Sequence, residues 1–137
     1  MSTGERTLIW LLRGCGVVLA CALPAAFLPT GWMDAVHRAV GLGELPRTPL
    51  VEYLTRSLSL LYASYSPLYF LASDDVRRYR TLILVLAITH GGSGFLLFGL
   101  DLWAGMPLPW TLTEGPMVVL LGVSIAWLVR RLPPDPT

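Results

Sequence analysis

Lysine is missing from this chain: its ten basic residues are all arginines, set against nine acids for a net charge of +1. So even a balance leaves no electrostatic footprint for nucleic acid. Cysteine and histidine are scarce, two of each in 137 residues. Cys15 and Cys21 share one apolar run, and six positions apart on a helix they point in different directions. No bridge between them is expected, and both read as buried thiols rather than as redox or metal groups. A haem held by two histidines is equally unexpected, because His37 falls outside the apolar runs and His90 inside one. No metal-ligand spacing, nucleophile elbow, phosphate-binding loop or catalytic triad occurs, and Asp34-x-x-His37 stands alone. Charge itself is thin. Charged residues make up 14% of the chain and hydrophobic ones 54%, which excludes an ordinary soluble domain.

What is there is a set of apolar runs long enough to cross a bilayer. Four spans are expected, at about 8–28, 50–72, 81–103 and 111–131. Together they make an all-α four-helix membrane bundle, with residues 1–137 as a single integral membrane domain. Arginines precede the first run, and Val18-Leu19-Ala20-Cys21 is a poor lipobox, so a retained helix is expected there rather than a cleaved signal. Gly16 and Ala20 make a small-xxx-small step within it, and Pro24 should bend it by freeing the carbonyl of Ala20.

The second span carries two unlike faces. Glu52, Thr55, Ser59, Tyr62, Ser66 and Tyr69 recur at steps of three and four along one stripe, with Arg56 at its edge. Leu54, Leu58, Leu61 and Leu68 form the other face. In hydrocarbon the polar stripe needs protein partners.

Between the first two spans, a short amphipathic helix sets Trp32, Val36, Ala39 and Val40 against Asp34, His37 and Arg38, with Gly41 and Gly43 to stop it. It reads as a periplasmic helix lying on the membrane surface. Thr48-Pro49 supplies an N-cap and first residue for the second span. The fourth span is expected to start with a Thr111/Glu114 capping box, with a distortion at Pro116. Arginine placement favours both termini in the cytoplasm: seven arginines fall on that side and three on the other. Trp32, Trp103 and Trp110 mark the outer boundary; Trp10 and Trp127 mark the inner one.

Two constellations could carry function. His90, near the middle of the third span, could contact a quinone, lipid or pigment together with Tyr62, or could hydrogen-bond a serine or tyrosine of the second span and hold helices together. Glu52, Arg56, Asp101 and Glu114 lie at similar depth near the outer ends. They are read as a structural ion-pair cluster rather than a metal or proton-entry site, with Arg56 paired to Glu114 or Asp101 across helices.

From about residue 50 onward the layout resembles small bacterial DoxX-like membrane proteins. The resembling features are the polar span with Tyr53-Leu54-Thr55-Arg56-Ser57, the turn Arg77-Arg78-Tyr79-Arg80, and the glycine-rich third span. The resemblance implies a four-helix bundle of the bacterial inner membrane, with some relatives linked to quinone-dependent oxidoreductases. The expected function is that of a non-catalytic accessory or structural subunit, bound to membrane lipids and other membrane subunits. The alternative is a DoxX-like protein holding a quinone, lipid or other redox-linked ligand near His90.

Overall fold

The computed structural model describes residues 2–133, and every regular element among them is helical. In chain order these are α1 (Thr3–Ala20), α2 (Ala22–Ala25), α3 (Thr30–Ala39), α4 (Pro49–Asp74), α5 (Arg80–Ala104) and α6 (Leu108–Arg130). Three segments are long and apolar enough to cross a membrane: Thr3–Ala25, through α1 and α2, then Arg80–Ala104 and Leu108–Arg130. α4 has 26 residues, enough to cross, but its hydroxyls and charges keep it outside that group. The chain divides into two compact units. The first joins Met1–Arg13 to Tyr69–Thr137; the second is Gly14–Leu68.

In the first unit, α1 starts five residues before the expected span because Ser2 and Glu5 form a capping box. The Ser2 N–H donates to Glu5 Oε2 at 2.8 Å, and the Glu5 N–H donates to Ser2 Oγ at 3.2 Å. Two of the four orphan donors of a helix start are thereby satisfied. α5 ends in a Schellman motif: Gly105 takes φ +67, its N–H donates to Leu102, and the Met106 N–H donates to Asp101. Two residues later α6 begins, three positions before the expected Thr111. Pro107 is its N-cap and Pro109 sits in its first turn, where a missing N–H costs nothing. Thr111 does not cap. It is buried in the second turn, its hydroxyl 3.4 Å from the carbonyls of both Met106 and Pro107. Pro116 lies within the continuous helix.

α5 and α6 pack backbone to backbone. A Cβ on Gly115 would lie 2.7 Å from the Gly94 oxygen, and one on Gly122 would lie 2.6 Å from the Ala87 oxygen and 2.7 Å from the Gly91 Cα. Paired positions descend on one helix as they rise on the other, so the two run antiparallel. Seven-residue spacing between Gly115 and Gly122 keeps both on one seam, where absent side chains allow close approach. In this unit Leu8, Leu12, Ile83 and Val129 are fully buried, while Leu96 is 76% and Trp103 84% exposed. Such large bare apolar faces suit lipid rather than water.

In the second unit the helix breaks at Cys21, between α1 and α2. Pro24, three positions on, has no N–H to offer the Ala20 carbonyl, so the irregularity appears just before the proline. Cys21 is exposed at this break and Cys15 half-buried, so neither is the fully buried thiol expected. Pro29 ends the corner and opens α3, which stops where Gly41 and Gly43 adopt φ of +83 and +80. Thr48 caps α4 as its position implies, its Oγ1 accepting the Val51 N–H at 3.3 Å.

Candidate functional site

His90 lies on α5 in the first unit, one position before Gly91 of the glycine seam. Its Nδ1 is 2.9 Å from the Leu86 carbonyl and 3.1 Å from the hydroxyl of Tyr69 on α4. The two rings meet edge to face, centroids 5.6 Å apart at 65°. With the proton on Nδ1, that N–H donates toward the Leu86 carbonyl and the Tyr69 oxygen together. With the proton on Nε2, the Tyr69 O–H donates to Nδ1. Either way the imidazole joins two helices. Tyr69 is buried, whereas Tyr62 is 46% exposed and belongs to the second unit. Within the first unit His90 bonds Tyr69, seven positions further along the same stripe as Tyr62. A shared stripe does not distinguish one tyrosine from the next.

Of the four residues read as an ion-pair cluster, Glu52 and Arg56 lie in the second unit and Asp101 and Glu114 in the first. Glu52 and Arg56, one turn apart on α4, do not pair with each other. Glu52 accepts from the Thr30 hydroxyl at 3.2 Å, and Arg56 donates to the Ala26 carbonyl at 2.7 Å. That carbonyl sits at the end of α2, where no continuing helix supplies an N–H. An orphan carbonyl close at hand takes one of the five guanidinium donors without burying a second charge. Glu114 accepts from Trp110 Nε1 at 2.5 Å, one turn back on α6. Asp101 is buried in the last turn of α5, and its Oδ2 has no hydrogen-bond partner among the described residues.

Two ion pairs of the first unit were not singled out from the sequence. Arg77 meets Glu5 at 2.6 Å, and Arg13 meets Asp74 at 3.6 Å. The S-x-x-E capping pattern at Ser2 was the available signal for Glu5. In the second unit, Ser66 donates to the Gly16 carbonyl at 2.9 Å in a buried bond, using the small-residue stretch of α1.

Around α3 the polar groups close on themselves. Asp34 points inward, accepting the Leu45 N–H at 2.8 Å and Arg38 Nε at 3.1 Å, while Arg38 also reaches Glu44 at 2.9 Å. The Leu45 N–H, together with Arg38, holds the Asp34 carboxyl below its usual range against the opposing effect of burial. Asp34 in turn pushes the Arg38 guanidinium up. His37 Nδ1 lies 3.0 Å from the Gly43 carbonyl and stitches the same turn. Trp32, Val36 and Val40 are left exposed. Asp34 inward and these apolar residues outward is the arrangement of a helix meeting lipid.

Among the described residues no three His, Cys, Asp or Glu side chains are grouped to hold a metal. Comparison with protein-family models, with curated proteins and with solved structures finds no match.

Proposed function

We propose that this chain is a non-catalytic accessory subunit of a larger assembly in the bacterial inner membrane. It crosses four times, with both termini in the cytoplasm and α3 on the periplasmic surface. The layout shared with DoxX-like proteins supports the four-span reading, and the arginine distribution supports the orientation.

One observation carries the subunit reading. In the second unit Ala26 and Leu45 are the buried apolar side chains, while α4 exposes Tyr53 at 67% and Tyr62 at 46%. Lipid satisfies a bare leucine ridge but gives a phenol hydroxyl no acceptor in the hydrocarbon. The stripe around Tyr62 is therefore covered by polar groups of another chain. Photo-crosslinking from position 62 in the source membrane tests this, followed by gentle co-purification and mass spectrometry. A discrete crosslinked protein is the expected result. A protein found only as a monomer, carrying a small molecule lost in His90→Ala, would replace the subunit reading with the ligand-binding one. The bonds of His90 to Leu86 and Tyr69 support a helix-joining role.

A further inference from the structure

Among the described residues, one end of the first unit carries more positive charge than its acids neutralise. The α5–α6 seam pairs Gly94 with Gly115 and Gly91 with Gly122. Continuing that antiparallel register brings Arg80, at the start of α5, level with Arg130 and Arg131 at the end of α6. The Glu5–Arg77 bond fastens the start of α1, and Arg6 with it, to the α4–α5 turn at the same end. Among the described residues three acids lie there, and each is engaged: Glu5 with Arg77, Asp74 with Arg13, and Asp75 with the Arg78 backbone N–H at 3.0 Å. Arg6, Arg78, Arg80, Arg130 and Arg131 have no acidic partner among the described residues.

The surroundings decide what these cations meet. Trp10 is 71% and Trp127 51% exposed at this end, and the Arg131 guanidinium stands 3.9 Å from the centroid of the Trp127 ring. Exposed indoles, one of them stacked under a guanidinium, suit the headgroup level of a bilayer. Further along α5 and α6, Val85, Leu120 and Val123 are exposed and offer a surface for acyl chains. A guanidinium fork matches two phosphate oxygens at once. We propose that this end is a docking surface for anionic phospholipid headgroups. Arg6, Arg80, Arg130 and Arg131 engage the phosphate, and Trp10 and Trp127 anchor at its depth. The apolar flank selects a lipid over free phosphate. This inference rests on the membrane reading above and adds a lipid class to it.

The test uses the full chain in mild detergent. Phosphatidylglycerol and phosphatidylcholine of identical acyl chains compete for it, with bound lipid read by native mass spectrometry. Wild type is expected to prefer phosphatidylglycerol. The Arg6→Gln/Arg130→Gln/Arg131→Gln variant should lose about fivefold of that preference per arginine, and the matching lysine variant should keep most of it. Equal binding of the two lipids by wild type overturns the proposal, and that arm needs no substitution to fold. An unchanged preference in the glutamine variant with wild-type helicity overturns it too, as does displacement of the lipid by inorganic phosphate. Alkaline carbonate extraction separates the two levels. Release of the protein from membranes would sink the membrane reading, whereas retention without a lipid preference would sink only the docking surface.

Discussion

At the scale of single residues, the stripe on α4 shows how alike side chains acquire unlike roles. Tyr69 is buried against His90 while Tyr62 is exposed. Tyr69→Phe should lower stability by about 0.6–1.7 kcal/mol, the range for hydrogen bonds between membrane helices, and Tyr62→Phe should leave the isolated chain unchanged. Unfolding of both variants in the same detergent distinguishes them; equal losses would contradict the assignment. Asp34 makes a pH-dependent prediction. Its carboxyl is held below the usual aspartate value of about 3.9 by the Leu45 N–H and Arg38. A depressed carboxylate stabilises the fold above its unfolded pKa, and that contribution disappears as pH falls through the folded value. Protection of the Leu45 amide from hydrogen exchange should thus hold from neutral pH down to about 4 and decline only below the ordinary aspartate range. Asp34→Asn should flatten that dependence. Loss of protection already between pH 6 and 5, by NMR, would contradict it.

The helices themselves divide into parts that were legible from sequence and parts that were not. Periodicity and length located α4 and α5 within two residues at each end, because apolar runs and the Thr48-Pro49 signal act locally. The start of α6 was misplaced because Thr111 and Glu114 match a capping box in spelling, while Pro107 and Pro109 match a helix start in backbone chemistry. The ion-pair reading rested on another kind of signal. Depth along a helix says which groups share a layer, but a carbonyl left over at a broken helix end has no mark in the sequence. The third span was legible as glycine-rich, but which of its glycines meet α6 depends on facing. That difference can be measured. Gly122→Ala places a methyl against backbone on α5 and should destabilise by about 1–3 kcal/mol. Gly92→Ala, with nothing within 4 Å, should be neutral or stabilising by up to about 1 kcal/mol. Thermal unfolding of the pair should rank them in that order, and equal shifts would mean that α5 presents another face to α6.

At the scale of the whole molecule, exposed apolar surface on α5 and α6 and the exposed Trp32, Val36 and Val40 of α3 point to one solvent, the bilayer. The proposed orientation has a direct check. Ala35 is exposed on α3, so Ala35→Cys, in a chain with Cys15 and Cys21 replaced by serine, should react with an impermeant maleimide added outside the inner membrane. Reaction only after the cells are opened would reverse the topology. The Glu5–Arg77 bond has a consequence in time as well. The two residues are 72 positions apart, and the first thirteen residues belong to a unit whose remainder begins at Tyr69. A ribosome makes the chain from the N-terminus, so α1 emerges before any of the residues that hold its first turns. The segment 14–68 has all its own parts at hand first. Until Arg77 is synthesised, Glu5 has only its own helix start for company, and the fastening of α1 waits for translation to pass the α4–α5 turn.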